Sequence, residues 1–145
     1  MPVIQNSVLL PCSPEVAFDY LSDNRSELEW NPQCQSMEKV TDGPVGLGTR
    51  MRAKWRNSPA VELEVVSFER PHSWAVHSGG PIEVNFHARL EPVSERTLLF
   101  VSFEPIPHCW ARVAFPLLLR MLRRGERANM ALIRAAVEKH VRGAE

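Results

Sequence analysis

Apolar and polar residues alternate through the middle of the chain and recur every three or four positions near its end. That change of period divides the sequence into elements. Residues 3–10 (VIQNSVLL) predict a first strand closed by Pro11. Ser13 suits a helix N-cap and Pro14 a first helical turn, with Val16, Ala17, Tyr20 and Leu21 as the apolar face. A second short helix over about 25–30 must end before Asn31-Pro32, because the residue preceding proline is driven out of the helical region. From residue 34 the period is two, and strands are predicted over 35–41, 49–56, 61–69, 73–78, 82–91 and 97–104. Turns fall at Asp42-Gly43-Pro44, Gly46-Leu47-Gly48, Asn57-Ser58-Pro59, Arg70-Pro71 and Gly79-Gly80-Pro81, which is the rhythm of an antiparallel meander.

Alternation also predicts faces. A turn centred near Gly80 makes facing positions sum to about 160, which sets Trp74 opposite Phe86, Val76 opposite Val84 and Ser78 opposite Ile82. The other side then carries Ser73 with His87, Ala75 with Asn85 and His77 with Glu83, so one face is apolar and one polar. Met51, Ala53 and Trp55 point inward, with Arg50, Arg52, Lys54 and Arg56 in water. Glu62 and Glu64 form a solvated row opposite Arg52 and Lys54. Leu99, Val101 and Phe103 form an inner set, and the outward pair Leu98 and Phe100 suggests a homodimer contact.

The last third reads as a helical segment over roughly 109–141, with Pro116 predicting a kink or a short leading helix. At about 100° per residue, Ala111, Ala114, Phe115, Leu118, Leu122, Gly125, Asn129, Leu132, Ile133, Ala136 and His140 share one side. Arg112, Arg120, Arg123, Arg124, Arg127, Arg134 and Arg142 share the other. Leucines beside these arginines are compatible with a membrane-surface helix, but a helix gripped by a sheet also needs a wet back.

Composition narrows the function. The 145 residues carry no formal net charge, which argues against a nucleic-acid binder. The balance is uneven, since 9 basic and 14 acidic side chains precede residue 110 while 8 basic and 3 acidic follow. Cys12, Cys34 and Cys109 form no CxxC pair, and the five histidines lack HxxxH spacing, so neither a disulfide framework nor a metal site is expected. No GxGxxG, GxxxxGK[ST] or GxSxG occurs, so no nucleotide cofactor is expected. No apolar run is long enough to span a membrane and the N-terminus has no secretory pattern, giving a cytoplasmic expectation.

Several segments carry a family resemblance: Ser13-Pro14-Glu15-Val16-Ala17-Phe18-Asp19-Tyr20-Leu21-Ser22-Asp23, Glu29-Trp30-Asn31-Pro32, and Asp42-Gly43-Pro44-Val45-Gly46-Leu47-Gly48-Thr49-Arg50. Phe68-Glu69-Arg70-Pro71 and Leu90-Glu91-Pro92 extend it over nearly the whole chain. On these the sequence resembles the polyketide cyclase/dehydrase-like family of the START/Bet v 1-like (SRPBCC) helix-grip superfamily. The resemblance implies one α+β domain over 1–145, with a curved seven-stranded antiparallel sheet around a long C-terminal helix and two short helices after the first strand. It also implies a cavity for a hydrophobic small molecule such as a lipid, quinone or polyketide-like compound. Members include aromatase/cyclases and carriers, so the resemblance does not supply a reaction.

The residues expected to line that cavity are Met51, Ala53, Trp55, Trp74, Val84, Phe86, Val101, Leu122, Asn129 and Ile133, almost all apolar. Cyclisation or dehydration of a ketide needs a proton acceptor and a donor, and no catalytic residue is assigned. Asn129 is placed to bond a ligand carbonyl or a strand, and His140 lies near the helix end. His77 and His87 point outward unless the register slips by one. The tryptophans at 30, 55, 74 and 110 fit a core, or else a stacking platform. Three readings follow: a binder of a hydrophobic small molecule, a cyclase/dehydratase-type enzyme using Asn129, His87 or an arginine, and an interaction module with a collapsed cavity. An enzyme is expected to show an inward His, Arg, Asp or Glu.

Overall fold

In the computed structural model, which describes residues 2–56 and 58–144, strand β1 (Ile4–Leu10) is followed by helices α1 (Pro14–Leu21) and α2 (Glu27–Trp30), with a 3-10 turn at Asn24–Ser26 between them. Strands β2 (Cys34–Lys39), β3 (Arg50–Trp55), β4 (Val61–Glu69), β5 (Ser73–Ser78), β6 (Ile82–Val93) and β7 (Arg96–Pro107) precede helix α3 (Ala111–Ala144). They form a seven-stranded sheet in the order β1-β7-β6-β5-β4-β3-β2, with every neighbouring pair antiparallel. The first two strands are therefore the two edges, and α1 and α2 carry the chain between them. Register shifts between Cys34 and Ser36 and between Val65 and Ser67 add the local twist that bends the sheet. Asn57, part of a predicted turn, lies outside the described residues.

Local chemistry explains the first helix. The Ser13 hydroxyl accepts from the Val16 N–H and Pro14 occupies the first turn, as expected. The buried face is Ala17, Phe18, Tyr20 and Leu21, with Phe18 in place of the predicted Val16, which is exposed. Phe18 packs edge-on against Phe68 at 5.0 Å and Trp74 at 5.4 Å, seating α1 against the closed end of the sheet. The Thr97 hydroxyl, wholly buried, donates to the Cys12 carbonyl at 2.8 Å and ties the entry to α1 onto β7.

The β5–β6 hairpin keeps its predicted faces but not its predicted pairs. Trp74 lies opposite Ala88, Val76 opposite Phe86 and Ser78 opposite Val84, a sum of 162. The connection is longer than a tight turn: Ile82 and Glu83 pair with Pro107 and Ile106 on β7 rather than with β5. A slip of two leaves every side chain on its original face, so His87 stays exposed on the outer side. Gly80 is required in the connection, because its φ is +110° and an added Cβ would lie 2.9 Å from Val61 Cγ1. The Glu83 carboxylate bridges His77 at 2.8 Å and His108 at 2.9 Å, holding the hairpin tip against the approach to α3.

Two outer-face expectations change. Arg52 faces Glu62 and Arg50 faces Glu64, whereas Lys54 turns to the carbonyls of Trp55 and Ser58. Phe100 is half-buried under the Arg89 guanidinium, 4.3 Å from the ring centroid, so the pair proposed as a dimer contact with Leu98 is already partly covered.

Helix α3 runs through Pro116 as one element rather than as two. Pro116 lies past the first turn, so the helix forgoes there the one bond that position 116 would donate to the Arg112 carbonyl. The buried positions are Ala111, Met130, Ile133 and Val137, with Leu122, Glu126 and Asn129 half-buried on the same side. Gly125, Leu132 and His140, expected on that side, are exposed. The true stripe follows the spacing 122, 126, 129/130, 133, 137, which drifts from the predicted one by part of a turn. His140 stacks on the Tyr20 ring of α1 at 4.3 Å.

Candidate functional site

The concave side of the sheet has two halves of different packing. At one end Leu10, Phe18, Trp74, Ala88, Leu90, Leu99 and Val137 close into a core. Towards the hairpin tip, Val84, Phe86 and Phe103 on the strands remain half-buried, as do Phe115, Leu118 and Leu122 on the facing side of α3. This second half is an apolar surface that the chain itself does not fully cover. Open hollows among the described residues include one of about 300 Å³ around Val66, Phe86, His87 and Ser102 and one of about 370 Å³ beside Arg123, Arg124 and Arg127.

The residues expected to line a cavity fall on both sides of this division. Met51, Ala53, Trp74, Val101 and Ile133 are buried, Met51 and Ala53 beside Leu63 and Val61 at the level of the hairpin tip. Trp55, Val84, Phe86, Leu122 and Asn129 are half-buried and border the open half. Of the tryptophans only Trp74 is fully in the core; Trp30 and Trp55 are half-buried, and Trp110 is exposed.

A polar cluster borders the same space. Helix α2 presents Glu27, whose carboxylate accepts from the Trp55 indole N–H of β3 and, at 2.9 Å, from the Asn31 side-chain amide. Asn31 in turn accepts from the Gln33 N–H at 3.0 Å, which fixes the chain leaving α2. Glu126 approaches from α3. Burial pushes its carboxyl up to about 7, with the charge of Glu27 adding to the shift. Burial also raises Glu27, and the Trp55 and Asn31 hydrogen bonds oppose that by favouring the ionised form. Both carboxyls are thus raised by burial, and Glu27 differs in having two donors that oppose the rise.

Neighbouring groups are inert. The Cys34 thiol, across from Trp55 on the β2–β3 ladder, is pushed up to about 12 by burial and then by Glu27, so it stays a thiol. The Tyr20 hydroxyl is raised to about 12 by burial and by the Glu29 carboxylate, and among the described residues no group is in hydrogen-bond geometry with it. The Trp30 indole N–H is likewise buried without a partner among the described residues. No group of three potential metal ligands occurs among them.

The carboxyl pair was not anticipated from sequence. Glu126 lies seven residues before Ile133 and four after Leu122, on the inward stripe by spacing, but its charge argued for solvent. For Glu27 no local signal exists, because its partner Trp55 is 28 residues away.

The family model for polyketide cyclase / dehydrase and lipid transport matches residues 1–139. Solved structures share the fold at low identity. A Thermus thermophilus protein superposes with a TM-score of 0.79 at 14% identity, covering 96% of this chain and 99% of its own. The Zhui aromatase/cyclase from Streptomyces sp. R1128 gives 0.78 at 13% identity, covering 99% and 97%. A Thalictrum norcoclaurine synthase variant, in complex with a transition-state analogue, gives 0.69 at 18% identity, covering 96% and 95%. No curated protein sequence matches the chain.

Proposed function

Because the chain belongs to the polyketide cyclase / dehydrase and lipid transport family, we propose that it binds a hydrophobic small molecule, of the lipid, quinone or polyketide-like kind, between the open half of the sheet and the first turns of α3. The observation that carries this reading is the half-exposed apolar surface of Val84, Phe86, Phe103, Phe115, Leu118 and Leu122 on facing elements. Covering such surface yields about 2.5 kcal/mol for each 100 Å² removed from water, before the costs of association. Shape and burial would then set affinity, and the few polar groups at the border would set orientation.

The experiment is a titration of the native protein with 1-anilinonaphthalene-8-sulfonate, followed by competition with palmitic acid or a naphthoquinone. A saturable fluorescence gain reversed by the competitor is expected, and Leu118→Trp should weaken it by filling the space. Fluorescence that never saturates, or that no competitor displaces, would overturn the reading.

A second reading, a cyclase/dehydratase-type reaction, is favoured by one specific observation: two carboxyl groups, Glu27 and Glu126, both raised by burial and close enough for the charge of one to shift the other. In a dehydration one carboxyl of the pair, ionised, would take the proton next to a ketone, and the other, protonated, would give its proton to the departing hydroxyl, which leaves as water. Glu126→Gln should then abolish turnover of a β-hydroxyketone while leaving probe binding intact; unchanged turnover would dismiss this reading and leave binding standing.

A further inference from the structure

The first turns of α3 are apolar on both sides. Leu118 and Leu122 face the sheet, yet Trp110 just before the helix and Val113, Leu117 and Met121 on its back are 66%, 88%, 64% and 62% exposed. At 100° per residue these four fall within one narrow stripe along the outside. Arg120, Arg123 and Arg127 lie along one flank of the stripe and Arg124 falls within it, all four exposed, and the last three in the sequence border the hollow of about 370 Å³. No acidic residue occurs between Glu104 and Glu126, and Glu126 turns inward. A wet back for a gripped helix accounts for the arginines. It does not account for four large apolar side chains among them.

We propose that this face of α3 docks on an anionic lipid surface, with the apolar stripe entering the headgroup boundary and the arginines meeting lipid phosphates. Apolar side chains flanked by cations on one helix are what an interfacial helix presents, and this helix is not long and apolar enough to cross a membrane. Charge complementarity selects the occupant. A second copy meeting this face about a two-fold axis would bring arginine onto arginine, whereas a negatively charged leaflet attracts each of them. The hollow beside Arg123, Arg124 and Arg127 offers a place for a phosphate, which arginine binds through its planar fork. The proposal stands on the outer surface of the helix and not on what occupies the space beneath it.

The test is co-sedimentation of the whole protein with phosphatidylcholine vesicles lacking or containing phosphatidylglycerol, at low and high salt. Binding is expected only with the anionic lipid and should fall with salt. Arg123→Gln with Arg124→Gln should weaken it about 25-fold, at roughly fivefold for each arginine near such a surface. Leu117→Ser with Met121→Ser should also abolish sedimentation without lowering the unfolding midpoint, since both side chains are exposed in the free protein. Trp110 fluorescence should shift to the blue on anionic vesicles, a change absent in Trp110→Phe. Equal binding to both vesicle types, no binding to either, or variants that sediment like the parent would overturn the proposal. So would retention on heparin without vesicle binding, which would assign the arginines to a polyanion instead.

Discussion

The indole N–H of Trp55 on β3 donates to the carboxylate of Glu27 on α2, linking residues 28 positions apart across the mouth of the sheet. This bond joins the short helix to the strand and opposes the upward shift that burial imposes on the acid. Trp55→Phe retains most of the ring but leaves the carboxylate with Asn31 alone. A loss of about 1–3 kcal/mol in urea unfolding is expected, since a group deprived of its donor keeps its desolvation cost. A change below a few tenths would mean that water replaces the indole.

Stability should depend on pH through Glu126. Its folded value, about 7, lies above the 4.5 of an unperturbed glutamate. Between those values the unfolded chain releases a proton that the folded protein retains, so stability falls as pH rises from about 4.5 to 7 and is flat above. Glu27, shifted in the same direction, adds to the slope. Glu126→Gln should flatten the curve and raise stability at pH 8 by about 2 kcal/mol, allowing for solvent screening of a partly exposed group. Urea midpoints at pH 5 and pH 8 provide the check; a slope unchanged by the substitution would place the carboxyl in water.

Thr97 tests a hidden tether. Replacing it with valine preserves shape in a wholly buried site but strips the Cys12 carbonyl of its donor. Destabilisation of about 1–3 kcal/mol is expected, and a neutral result would show that the carbonyl finds another partner.

The two halves of the concave face should differ in sensitivity. Trp74, 3% exposed and stacked edge-on against Phe18, should cost about 3–5 kcal/mol when cut to alanine. Phe86, half-buried at the open end, should cost roughly half as much. Equal losses at the two sites in chemical denaturation would mean that the sheet is closed along its whole length.

The meander, its faces and the long final helix were legible because each rests on local periodicity: alternation in β3, β5 and β6, and a recurring apolar stripe in α3. A hairpin slip of two did no harm to the faces, since the side-chain period of a strand is two. Helical rotation is less forgiving, and an error of part of a turn put His140 and Leu132 inside and left Met130 and Val137 out.

By itself the sequence determined the order of elements, the antiparallel pairing and the family pattern, all of which are written in neighbouring residues. Only the tertiary structure decided that Glu126 is half-buried near Glu27, that Trp110, Val113, Leu117 and Met121 are uncovered, and that Val84, Phe86 and Phe103 stay half-buried. The physical reason is common to all three. Charge and hydropathy state what a side chain prefers, whereas burial depends on which distant elements arrive beside it, and α2, β3 and α3 meet only in the folded chain.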